Sequence, residues 1–295
     1  MYEKIILSFL LFTICFAEAQ NAQNLIDGLK KDLKSNPDDK KRATIYSDLT
    51  WYYLENNMDS ASVYGNKNII LCKKIKNSKL LSQAYADLGA LNLRKENFKL
   101  AKENYLIACE IRKKDNDNDG LAKININLGS IYGSQQDYIH ATKSYLEAIK
   151  YFDSKRNDTI SSLTKANLAL IFQKTKNYPK AIKYLDEAIA FEIKNKMTNG
   201  LCNAYITLGN IYVETNDTVK GVKFYNKSLE NCKLCDDKLG ISTVYQLLGN
   251  LTLDQKKINE SNIYFKKSND ILKVLNSESE IESSKLYTTQ ELINN

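Results

Sequence analysis

Residues 128–132 read Leu128-Gly129-Ser130-Ile131-Tyr132, followed at fixed distances by Tyr138, Ala141, Tyr145 and Ala148. Forty residues to either side the arrangement returns, headed by Leu88-Gly89, Leu168-Ala169, Leu208-Gly209 and Leu248-Gly249, with Ala101 and Ala181 in the place of Ala141. So regular a stride fixes the architecture before any single residue is weighed, because each copy is one structural unit that buries its apolar side against the next. The only two prolines, Pro37 and Pro179, stand where helices are expected to begin, a place proline tolerates, so nearly the whole chain is free to be helical.

An aromatic, then Leu-Gly, Tyr three residues on, Ala, an aromatic four later and Ala three after that is the pattern of the tetratricopeptide repeat, and this chain resembles that family. The copy at 128 carries Gly129, Tyr132, Ala141, Tyr145 and Ala148; its neighbours carry Gly89, Ala101, Tyr105 and Ala108 with Asn92 where Tyr is usual, then Ala169, Phe172, Ala181 and Ala188 with Leu185 for the aromatic. Later copies drift, through Gly209, Tyr212, Gly221, Tyr225 and Ser228 to Gly249, Thr252, Ser261, Phe265 and Ser268, as a terminal capping repeat does. The resemblance implies that the first small residue lets helix A of a repeat lie against its own helix B, and that the second lets helix B approach the next helix A. It implies an all-α fold, a right-handed α-solenoid of about six TPR-like helix-turn-helix repeats. The family repeats every 34 residues or so. Here the stride is 40 and the family's proline slot holds Lys113, Asp153, Ile193 or Lys233, so a longer helix B and a longer turn between repeats are expected.

Residues 1–19 read as a signal peptide: Lys4, an apolar run from Ile5 to Phe16, then Ala17-Glu18-Ala19 before Gln20. Cleavage after Ala19 places the chain in the periplasm or outside the cell; the alternative is an uncleaved N-terminal membrane anchor. Residues 20–36 form an N-terminal capping helix, with Leu25, Ile26, Leu29 and Leu33 at helical spacing. The superhelix covers 37–277, with repeats near 40–75, 80–115, 120–155, 160–195, 200–235 and 240–275, and a polar tail fills 278–295. The single tryptophan, Trp51, is read as core. Gly120, Gly200 and Gly240 recur just before helix A and are expected where the backbone turns with unusual angles.

The composition, 43% hydrophobic and 26% charged, is that of an ordinary soluble protein. The net charge of +7 is spread over short lysine pairs, not a stripe with interleaved aromatics, so no nucleic-acid partner is read from it. With one histidine, His140, there is no triad or histidine metal cluster, and no nucleophile elbow or phosphate-cradling loop occurs. No catalysis, cofactor, metal or small-molecule substrate is expected. Asp115-Asn116-Asp117-Asn118-Asp119-Gly120 begins like a calcium loop but reaches Ile126 where a bidentate glutamate is required, and is read as a polar turn. Cys232-Lys233-Leu234-Cys235 has no second pair to complete a zinc site. In an antiparallel hairpin the start of helix A lies beside the end of helix B, so Cys202 and Cys232 are a candidate disulfide; unpaired thiols remain the alternative.

Family members that bind extended peptides use groove asparagines against the peptide backbone, and the resemblance puts Asn127, Asn167, Asn210 and Asn250 on that wall. An amide donates and accepts at once, which suits a peptide bond; chance polar filling of a solvated groove is the other reading. The family's carboxylate clamp wants a lysine where this chain has Ile206 and Gln246. The expected function is an exported, non-catalytic scaffold that holds a protein or peptide in its concave groove. The alternative is the sensor region of a signalling system with a membrane-protein partner, after the chain's resemblance to the extracytoplasmic repeat regions of bacterial sensor kinases and helix-turn-helix regulators.

Overall fold

The structure, a computed structural model, describes residues 23–54 and 57–275. The leader read at 1–19 and the tail at 278–295 lie outside the described residues. Thirteen helices follow one another there, with no strand among the described residues: α1 (23–34), α2 (Asp39–Tyr53), α3 (Met58–Lys74), α4 (Ser78–Arg94), α5 (Phe98–Lys114), α6 (Asn118–Ser134) and α7 (Tyr138–Ser154), then α8 (Asp158–Lys174), α9 (Tyr178–Lys194), α10 (Asn199–Glu214), α11 (Thr218–Leu234), α12 (Lys238–Asp254) and α13 (Ile258–Val274). The fold is an all-α helix-turn-helix repeat solenoid.

One turn, used again and again, sets the stride. At the end of α3 the Ile75 N–H donates to the Leu71 carbonyl at 3.0 Å, Lys76 crosses into the left-handed region with φ 52°, and the Asn77 N–H donates to the Cys72 carbonyl at 3.2 Å. That is a Schellman closure of the helix end. The Asn77 side chain then accepts from the Leu80 N–H at 3.0 Å and so caps α4. Asp117 and Asp237 cap α6 and α12 in the same way, each accepting from a Gly N–H at 2.9 Å. Three residues thus end one helix and start the next.

This overturns two expectations. Helix B is no longer than helix A, since α4 and α5 each have 17 residues, and the turn between repeats is no longer than the turn within one. The extra residues of the 40-residue stride are shared equally. Nor do Gly120, Gly200 and Gly240 supply unusual backbone angles: no glycine has positive φ, and the left-handed residues are Lys76, Asn116, Lys196, Asp236 and their equivalents. These three glycines lie in the first turns of α6, α10 and α12, where a Cβ would run into the Arg112 guanidinium, the Glu192 carboxylate, and Asp237 with the Cys202 sulfur. They are small because a neighbour occupies the space.

The chain divides into two compact units, Met1–His140 and Ala141–Asn295. In the first, α2 packs on α3, α3 on α4, α4 on α5 and α5 on α6, while α2 also touches α4 and α4 touches α6. In the second the same succession runs from α8 to α13, with α8 touching α10 and α10 touching α12. In each unit the first helices of successive repeats therefore lie side by side and form one wall. Leu88 and Leu128 of the first unit and Leu168, Leu208 and Leu248 of the second are all buried, as are Ala61, Ala101, Ala141 and Ala181.

Gly209 shows what the small positions do. A Cβ there would stand 2.5 Å from the Tyr225 ring and 3.3 Å from the Gly221 carbonyl, and the carbonyl belongs to backbone that cannot step aside. Gly209→Ala is therefore expected to cost about 1–2 kcal/mol in a thermal melt, the overpacking outweighing alanine's better helix propensity. Gly28 in α1 has nothing within 4 Å of its Cβ position, so Gly28→Ala is expected to gain about 0.5–1 kcal/mol. Equal signs for the two variants would contradict this reading of the register.

Candidate functional site

The wall of each unit carries a cleft. In the second unit α10 and α12 enclose about 190 Å³, and Asn210 and Glu214 line one side while Asn250 and Asp254 line the other. The paired residues are four apart on their helices, so each amide and carboxylate sit on one face, one turn apart. Val213, Leu247 and Leu251 supply the apolar surface. Tyr225 comes from α11 and donates its hydroxyl hydrogen to the Asn210 amide oxygen at 2.7 Å. Burial pushes that phenol up to about 12, so it stays a donor. The Asn250 amide makes no hydrogen bond among the described residues.

The first unit's cleft is smaller, about 140 Å³, and is built on a polar chain. Asp87, 7% exposed, accepts from the Ser47 hydroxyl and, at 2.7 Å, from the Gln83 amide. Gln83 in turn accepts from Arg112 at 2.8 Å, and the Arg112 Nε faces Asp117 at 3.7 Å without a hydrogen bond. Burial outweighs these donors and pushes the Asp87 carboxyl up to about 6. Asn127 and Lys123 line the cleft from α6, and Trp51 lines it from α2.

Trp51 corrects the sequence reading: it is 61% exposed and not core. The apolar positions of α2 that face inward are Ala43, Ile45, Leu49 and Tyr53, and Trp51 falls off that face. As the chain's single tryptophan it is a built-in probe of the cleft. Its fluorescence is expected to be quenched readily by acrylamide in the free protein and protected when a partner fills the cleft. Protection in the free protein would contradict the exposed placement.

Of the four asparagines read from the sequence, Asn210 and Asn250 thus share one cleft and Asn127 lines the other, while Asn167 is exposed on α8 and lines neither. Cys202 on α10 and Cys232 on α11 are fully buried, joined as a disulfide, with Cα atoms 5.2 Å apart. Asp237 brings the only other ligand-type group within 4.8 Å of them among the described residues. Cys235, the other cysteine of the CxxC, keeps a free, partly exposed thiol. Glu214, Asp254, Asp87 and Arg112 are functional candidates that the sequence reading misses. The first two were legible, since Asn-x-x-x-Glu at 210 and Asn-x-x-x-Asp at 250 recur one stride apart.

Stacked hairpins that leave a wall of first helices, with clefts lined by amides, charged groups and apolar side chains, define a non-catalytic interaction module of the tetratricopeptide type. The chain belongs to the family described as the SusR N-terminal TPR domain, which matches residues 19–270. Among curated proteins none matches. Solved structures are similar in fold. The apo form of RapI has 15% identity and a TM-score of 0.69, over 84% of this chain and 89% of that one. The apo form of the quorum sensor NprR from B. thuringiensis has 15% identity and 0.69, over 90% and 74%. A signal transduction ATPase with numerous domains and a tetratricopeptide repeat sensor, from Pyrococcus horikoshii, has 20% identity and 0.68, over 91% of this chain and 43% of the ATPase.

Proposed function

We propose that the chain is the sensing domain of a signalling regulator, and that an extended polypeptide laid along the first-helix wall sets the state of an output carried by the same chain or by a membrane-protein partner. The observation that supports this best is the family match, which spans residues 19–270 and contains both clefts. The similar folds of a quorum sensor and of a repeat sensor in a signalling ATPase point the same way. The wall suits such a ligand: amides at 210 and 250 stand ready for peptide groups, and apolar side chains between them accept side chains.

Export belongs to the same proposal. The family match begins at residue 19, where the leader read from the sequence ends, and a buried Cys202–Cys232 bond suits an oxidising compartment. Mass analysis of the protein from its native host is expected to find Gln20 at the N-terminus; an intact Met1 in a cytoplasmic fraction would remove the export arm.

The binding arm is tested by photo-crosslinking in cells, with the crosslinking residue placed at Asn210, Asn250 or the exposed Glu230 of α11. One polypeptide captured from 210 and 250 and not from 230 is the expected result. Capture from 230 alone, or equally from all three, would place the partner elsewhere.

A further inference from the structure

We propose that the cleft between α10 and α12 is a pocket for a lysine or arginine side chain of the bound polypeptide. This rests on the reading of the first-helix wall as a peptide groove and goes beyond it by fixing the chemistry of one residue of the partner.

The argument begins with charge. The cleft holds two carboxylates, Glu214 and Asp254, and neither lysine nor arginine lines it, in a chain whose net charge is +7. Glu214 accepts from the Gln173 amide at 2.8 Å and is bonded by the Tyr178 hydroxyl. Both donors are neutral, so they fix the position of the carboxylate and leave its charge in place. Gln173 itself is 5% exposed, so the support is buried. Asp254 is exposed and enters no ion pair among the described residues. Elsewhere acidic groups near the helix surfaces do find cations: Lys165 lies 3.2 Å from Glu187, and Lys220 lies 2.8 Å from Asp217.

Position makes the pair specific. Glu214 and Asp254 stand at the same place in successive repeats, each one turn beyond an asparagine. The equivalent pairs on the other first helices are Thr50 and Leu54, Ala90 and Arg94, Ser130 and Ser134, and Leu170 and Lys174. No other repeat has the acid, and two have a cation in its place. Val213, Leu247 and Leu251 line the same cleft, apolar surface on which the methylene stem of a lysine or arginine rests while its charged head reaches the acids. Asn210 and Asn250 then meet the peptide groups on either side of that residue.

The test uses the full chain and three fluorescent nonapeptide pools, randomised except for a central position that is basic, acidic or alanine, read by anisotropy at low and at high salt. The basic pool is expected to bind tightest, to weaken with salt, and to lose about tenfold in affinity in the isosteric Glu214→Gln/Asp254→Asn variant while Glu230→Gln leaves it unchanged. Because the chain is basic overall, its general field opposes this preference and cannot produce it. A wild type that binds the pools without favouring the basic one, or a preference that survives the double variant, overturns the pocket and leaves the groove standing. Failure of every pool to bind overturns both. Thermal melts of the variants are expected to match the wild type, since both substituted side chains are exposed.

Discussion

Reduction of the oxidised protein is expected to lower its unfolding midpoint by about 10 °C, and to do so through one bond. Cys202 and Cys232 close a loop with a sequence separation of 30, and tying that loop removes about 3–4 kcal/mol of unfolded-state freedom in the chain-entropy treatment. The native state has little to give back, because both residues are fully buried and the Ser228 hydroxyl already donates to the Cys202 carbonyl at 2.8 Å, holding α10 against α11 at the same level. The Cys202→Ala/Cys232→Ala variant is expected to melt where the reduced wild type does and to ignore reductant. Since each repeat leans only on its neighbours, the loss is local, and protease should cut first near the turn between α10 and α11. A wild type whose melt does not respond to reductant, with both thiols free to alkylation after denaturation, would show that the bond does not form.

The second large effect is a dependence on pH. Glu192 is 1% exposed, neither carboxylate oxygen has a hydrogen-bond partner, and burial pushes its carboxyl up to about 7. In the unfolded chain it titrates near the ordinary glutamate value, so the folded state favours the protonated form. That contribution is intact at acid pH and is lost as pH rises from the unfolded value through about 7, because ionisation then has to occur inside the protein. Between pH 5 and 8 the loss amounts to about 2–3 kcal/mol. Glu192→Leu is therefore expected to stabilise the protein by roughly that amount at pH 8 and by much less at pH 5, in denaturant melts run side by side. Leucine is a fair replacement, since Leu272 fills the equivalent place in the last repeat and is 1% exposed. Identical pH slopes for the two proteins would rule the effect out. Asp87 contributes a slope of its own, but it is common to both and cancels in the difference.

The disulfide and the buried Glu192 mark the boundary of what was legible beforehand. The stride of Leu, Gly and Ala revealed the hairpins, because packing against an identical neighbour repeats the same demand every 40 residues. Hairpin geometry made Cys202 and Cys232 a candidate pair, with unpaired thiols as the alternative. The stride could not reveal Glu192 as buried, because the place it occupies is filled by Cys72, Arg112, Phe152, Glu192, Cys232 and Leu272 in turn, a set with no shared chemistry. There the neighbour adjusts instead, which is why glycine stands at 120 and 200. The turns were misread for a related reason. A left-handed turn is usually announced by glycine, and here the residues that adopt it include Lys76, Glu96, Gln136 and Arg156. The signal that was present is an Asn or Asp after most such residues, as at Asn77, Asn97, Asp117 and Asp237, each of which caps the next helix. Trp51 misled because a lone large aromatic is more often inside than out.

The eleven left-handed residues among those described have one more consequence. All of them are exposed, and their side chains are Lys76, Arg156, Lys176, Lys196 and Lys256 among cations, Glu96 and Asp236 among anions, and neutral amides otherwise. So +3 of the molecule's formal +7 hangs on its corners, away from the residues that line either cleft. Long-range attraction or repulsion of a visitor can therefore be retuned by drift at the corners, while the residues that grip it stay as they are.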